Sequence, residues 1–217
     1  MTGSFITVGS NGKFKLSDLA VDTNGEYCED NFTLSTLTPS GGTDKEYCWF
    51  YDKGHGGKTG VAGWYDSDGE IHYAGEDDVE FESSQGFWVQ GYGFKLKASG
   101  QVLIETVVAA TPTAGKVLIG NPFSSDVNLA DIAVDTDGEY CEDNLTLSTL
   151  TPSGGTDKEY CWFYDKGHGG KSGVAGWYDS DGETLYTRED GILLKAGGAY
   201  WVQGYGFKLI FQKPDYE

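Results

Sequence analysis

Basic residues are scarce in this chain of 217 residues: 15 Lys and Arg stand against 34 Asp and Glu, giving a formal net charge of -19 and a sequence pI of about 4.3. A surface of that sign repels phosphate backbones, so nucleic acid is excluded as a partner, and an anionic membrane surface is disfavoured for the same reason. Divalent cations and basic surfaces stay open. No window approaches 18 consecutive apolar residues, so no membrane-spanning helix or membrane insertion is expected. Histidine occurs three times and methionine once. Neither Gly-x-Ser-x-Gly nor His-Glu-x-x-His is present, and the Gly-rich run Lys53–Lys58 lacks phosphate-loop spacing. Carboxylates are plentiful, yet nothing singles out one pair for glycoside hydrolysis. The chain is therefore read as non-enzymatic.

What is present in excess is glycine, 33 residues, and aromatic side chains, 14% of the chain. With Thr and Val, they point to many short strands joined by tight turns. A second feature is repetition. Shifted by 113 residues the chain matches itself without gaps from Leu16 to Leu96, with 50 of 55 positions identical over residues 16–70. Residues 71–87 then diverge from 184–200, and identity returns in WVQGYGFKL at Trp88 and Trp201. The expected organisation is a first β-domain over 1–108, a linker over 109–115 and a second β-domain over 116–217.

Strands are predicted in the first copy at Ser4–Val8, Phe32–Leu37, Tyr47–Tyr51, Val61–Tyr65, Phe87–Gln90, Phe94–Lys97 and Gln101–Val108. Turns are predicted at Pro39–Gly42 and Ser67–Gly69. One helical turn is expected near Lys15–Ala20 and again near Asn128–Ala133, with Asn128 as its N-cap. The fold class is all-β: two tandem homologous sandwich or barrel-like domains.

The second copy carries Leu118-Ile119-Gly120-Asn121-Pro122-Phe123, Leu129-Ala130-Asp131-Ile132, Gly176-Trp177-Tyr178-Asp179 and Trp201-Val202-Gln203 in that order. This order resembles modules of secreted, largely uncharacterised bacterial surface proteins. The resemblance covers most of the second copy; the first departs from it at Gly9–Gly12. It implies a fold and a setting at the cell exterior, not a chemistry.

Three sets of residues are candidates for sites. Cys28 and Cys48 are separated by 20 positions, as are Cys141 and Cys161. Equal spacing points to one disulfide within each copy, each stabilising by roughly 3 kcal/mol in the chain-entropy model, and to an oxidising compartment. Buried free thiols and a zinc site that adds His55 are the alternatives. Acidic loops form the second set: Asp66, Asp68 and Glu70; Asp179, Asp181 and Glu183; Asp22 and Asn24; Asp135 and Asp137. Alternating oxygen ligands before a glycine resemble the first half of a calcium loop, and the same letters also make a good turn. The third set is Trp64, Trp88, Trp177 and Trp201, which form either a sugar-stacking face or core. Consecutive aromatics such as Trp49-Phe50-Tyr51 alternate between faces, so one side of that strand must be core.

The expected function is an extracellular structural protein, a surface-layer, adhesin or fibre subunit that self-associates head to tail, with strand addition through Ser4–Val8 and Phe207–Phe211. The alternative is a carbohydrate-binding module with two sites.

Overall fold

The computed structural model describes residues 2–7, 13–23, 32–50, 61–91, 95–98, 105–137, 145–151, 153–163, 174–204 and 206–212. In the first half the strands are β1 (Thr2–Thr7), β2 (Lys13–Lys15), β3 (Leu19–Asp22), β4 (Phe32–Leu37), β5 (Thr43–Phe50), β6 (Gly63–Tyr65), β7 (Glu80–Glu82), β8 (Gly86–Gly91) and β9 (Lys95–Ala98). The second half follows with β10 (Val107–Ala110), β11 (Lys116–Gly120), β12 (Val127–Asn128), β13 (Ile132–Asp135), β14 (Leu145–Leu150), β15 (Thr156–Phe163), β16 (Gly176–Tyr178), β17 (Leu193–Leu194), β18 (Ala199–Gln203) and β19 (Lys208–Phe211). Helix among the described residues is limited to single 3₁₀ turns, at Leu16–Asp18, Gly75–Asp77, Leu129–Asp131 and Arg188–Asp190. The Asn128 side chain caps the third of these by accepting from the Ala130 amide at 3.0 Å.

Each half builds a five-stranded sheet in the same order, β1-β8-β4-β5-β6 and β11-β18-β14-β15-β16. Registers repeat with the sequence: Leu34 faces Val89 as Leu147 faces Val202, and Trp49 faces Trp64 as Trp162 faces Trp177. Short ladders, β2-β7 with β3-β9 and β12-β17 with β10-β19-β13, pack on the main sheet of each half through shared core clusters. The core is trapped between, with Leu16, Leu19 and Phe81 meeting Leu34, Tyr47 and Trp64 in the first half. Leu129, Ile132 and Leu194 meet Leu147, Tyr160 and Trp177 in the second.

Alternation explains β5. Tyr47 and Trp49 point into the core, whereas Phe50 stands on the opposite face, edge-on to Tyr65 at 5.4 Å. The strand begins earlier than the aromatic run because Thr43, Lys45 and Glu46 pair with β4, with Asp44 in a bulge between them, while their side chains stay exposed.

Two expectations change. The strand predicted to end at Val108 has its described part at Val107–Ala110, running into the stretch read as a linker, and Ala109 is buried in the second half's core. It pairs with β19, which β13 flanks on the other side. The run Phe207–Phe211 therefore has no open edge, and head-to-tail strand addition through it is ruled out: both rows of its backbone groups are already bonded.

The halves meet through their inner strands, β1 and β8 against β11 and β18. The contacts are reciprocal, since β1 corresponds to β11 and β8 to β18. Leu37 and its counterpart Leu150 both pack on the cluster of Leu118, Ala199 and Trp201. Gly86 permits the approach: a Cβ there would sit 2.6 Å from Leu118 Cγ and 2.9 Å from Ala199 Cβ. Such a self-complementary contact closes on itself and does not run on as a head-to-tail one does.

Candidate functional site

Two matching turns, at Ser40-Gly41 and Ser153-Gly154, form walls of a groove between the halves. In the first copy the Thr38 amide donates to Gly42 O at 2.7 Å, and the Gly42 amide returns to Thr38 Oγ1 at 3.1 Å. Thr151 and Gly155 repeat both bonds, at 2.8 and 3.0 Å. Gly41 and Gly154 take φ of 89° and 87°, which a side chain disfavours. Lys116 ties the second half to the first turn by donating its amide to Pro39 O at 3.1 Å.

The groove encloses about 650 Å3 and is lined in matched pairs: Ser40 with Ser153, Gly41 with Gly154, Thr43 with Thr156, Trp88 with Trp201. Among the described residues of its lining, Lys116 is the one ionisable group. In a chain of net charge -19, no carboxylate stands among the described residues of this groove. Indole edges, hydroxyls, turn amides and one ammonium suit a neutral or anionic polyol better than a cation.

Of the four candidate tryptophans, the structure brings together Trp88 and Trp201. Trp64 and Trp177 are each 1% exposed, and their Nε1 atoms donate to Leu19 O at 2.7 Å and Ile132 O at 2.8 Å. This burial takes both off any sugar-stacking face: they anchor the packed ladder to the main sheet.

The acidic loops hold themselves closed. Asp66 Oδ1 accepts from the Glu70 amide at 2.6 Å and the Ile71 amide at 3.0 Å. Asp179 Oδ1 accepts from the Glu183 amide at 2.8 Å. Gly69 and Gly182 adopt φ of 68° and 67° and lie over the rings of Phe50 and Phe163. Asp68, Glu70, Asp181 and Glu183 point outward. Asp22 pairs with Lys97 at 2.7 Å; Asn24 lies outside the described residues. The Asp137 amide donates to Asp135 at 2.9 Å and, with Lys208, holds that carboxyl below its usual range. Among the described residues no group of three or more His, Cys, Asp or Glu converges as a metal site would need.

Cys28, Cys141 and His55 also lie outside the described residues. No disulfide joins the described cysteines. Cys48 and Cys161 occupy matching places on β5 and β15, and burial pushes the Cys161 thiol up to about 11. The third histidine, His72, stacks on Tyr65 at 4.7 Å and covers Gly63; Leu185 covers Gly176 in the second half.

Sequence reasoning missed the groove-lining Ser40, Thr43, Lys116, Ser153 and Thr156. The Pro-Ser-Gly-Gly signal marks a turn, and nothing local tells that two such turns face each other. In comparisons with protein-family models, curated proteins and solved structures, none matches this chain.

Proposed function

We propose that the chain is a non-enzymatic extracellular structural subunit, of the surface-layer, adhesin or fibre kind, built from one β-module duplicated in tandem. The observation that carries this reading is the use made of the repeated side chains. Trp64 and Trp177 bond backbone across the core, Asp66 and Asp179 close their own turns, and Thr38 and Thr151 brace matching turns. What is repeated holds a shape. An exterior setting rests on the equal cysteine spacing and on the likeness to secreted surface modules, with the Cys28–Cys48 and Cys141–Cys161 bridges as part of the proposal.

Association between chains belongs to the same proposal, but not through the face joining the halves, which is already closed. β6 and β16 are the last strands of the main sheets on the side away from that contact. Their outer edges carry the returning chain, with the Tyr73 and Tyr186 amides donating to Trp64 O and Trp177 O, so contact there is through side chains and not by strand addition. Just before them stand Val61 and Val174, 50% and 51% exposed at equivalent places. Two such ends make the chain bivalent, and bivalent units grow into lines even when each contact is self-complementary. Negative-stain microscopy of native material tests this: regular fibres or arrays are expected, and discrete single particles at every concentration count against it.

The groove favours a second reading, glycan binding, with one site between the halves in place of two separate ones. Quenching of tryptophan fluorescence by an oligosaccharide, lost in Trp88→Ala, would support it; unchanged fluorescence across a glycan panel would remove it.

A further inference from the structure

The two halves share so much sequence that a strand from one fits the other. Over residues 16–70 and 129–183 they are nearly interchangeable, so little there tells β3–β6 from β13–β16. Near-identical neighbours of this kind are prone to exchange elements within a chain or between chains during folding. The pairing that differs is the small outer ladder. In the first half Lys13 faces Glu82, Phe14 faces Phe81 and Lys15 faces Glu80. In the second, Val127 faces Leu194 and Asn128 faces Leu193, and Asp126 reaches Lys195 just beyond.

Placed on the 113-residue offset, Lys13 corresponds to Asp126 and Glu82 to Lys195. The ion pair is thus present in both halves with its polarity reversed. Lys13 Nζ lies 3.5 Å from Glu82 and 2.9 Å from Glu80. Asp126 lies 2.8 Å from Lys195 Nζ and also accepts from the Ala196 amide at 2.9 Å. Volumes differ alongside, larger on both strands in the first half and smaller on both in the second. Phe14 and Phe81 meet at 5.4 Å between centroids in the first half, where the second has the smaller Val127 and Leu194. Phe87 gives way to Tyr200, whose hydroxyl accepts from the Lys195 amide at 2.6 Å.

We infer that this reversed ladder is a strand-sorting device that keeps β2 and β12 on their own halves and opposes exchange between unlike halves, within one chain or between two. Either wrong pairing puts like charges face to face. With β2 on β17, Lys13 meets Lys195; with β12 on β7, Asp126 meets Glu82. Like charges directly opposite destabilise a ladder as opposite charges stabilise it. Mismatched volume adds to the penalty, since Val127 against Phe81 leaves space and Phe14 in the second core overfills it.

A charge-reversal series tests the inference on the full chain. Asp126→Lys with Lys195→Glu keeps an ion pair inside the second half but gives it the first half's polarity, so both wrong pairings become complementary. After refolding at high concentration and dilution, this variant is expected to hold dimer at roughly threefold or more the wild-type level, as an opposed pair becomes an attractive one. Dilution separates trapped exchange from reversible surface association. Adding Lys13→Asp, Glu82→Lys and Glu80→Leu restores opposed polarity and is expected to return the dimer to the wild-type level. Equal dimer in the wild type and the double variant overturns the inference. So does dimer that persists in the five-fold variant, because that result reports damage to the second half and not loss of sorting.

Discussion

Trp64 and Trp177 show at the scale of one residue what the repeat preserves. Each indole fills the core and donates one hydrogen bond to a carbonyl on the ladder that packs on its sheet. Trp64→Phe keeps an aromatic ring but leaves Leu19 O buried without that donor. It is expected to cost about 1–3 kcal/mol, read as a lower denaturant midpoint, and Trp177→Phe should cost about the same. Buried phenols give a second residue-scale expectation. Burial pushes Tyr47 and Tyr200 up to about 12 from an ordinary value of 10. Between those values the unfolded chain has lost protons that the folded chain retains, so stability is intact below pH 10 and falls as pH rises towards 12. Tyr200→Phe, which installs the residue found at position 87, is expected to weaken that fall. A melting temperature followed across alkaline pH, alongside tyrosinate absorbance, checks it.

At the scale of elements, strands were legible where alternation is strong. β4 and β8 fall where Phe, Leu and Val recur on one face, β6 is marked by the aromatic pair Trp64-Tyr65 without any alternation, and the 3₁₀ turn at Leu129–Asp131 begins at its expected Asn128 cap. The ladders β2-β7 and β12-β17 were not legible, because two or three residues carry no period and their side chains differ between the halves. The same ladders give a reason for the divergence of residues 71–87: Phe81 changes together with Phe14, which lies outside the matched stretch. The groove was illegible for another reason, since its walls come from turns far apart in the chain. Two expectations belong here. Gly86→Val would drive a side chain into Leu118 and Ala199 and is expected to destabilise the contact between halves by about 1–3 kcal/mol, seen as earlier unfolding or easier proteolysis near 105–116. Because the Asp66 and Asp179 carboxylates already serve their own turns, melting curves with calcium and with chelator are expected to coincide. A rise of several degrees with calcium would return those loops to the cation reading.

For the whole molecule, near-identical halves joined through their inner strands leave equivalent outer ends facing away. In the proposed assembly, growth depends on those ends and not on the terminal strand β19, which is flanked on both sides. The strong negative charge sets a condition on such growth: unscreened chains repel, so association should strengthen as salt shortens the range of that repulsion. The most direct test is sedimentation velocity over a wide concentration range, comparing the wild type with Val61→Lys, Val174→Lys and the double variant. The expected result is a series of growing species for the wild type, nothing larger than a dimer for either single variant, and monomer for the double. A wild type that stays monomeric throughout, or a double variant that associates as the wild type does, would contradict the account.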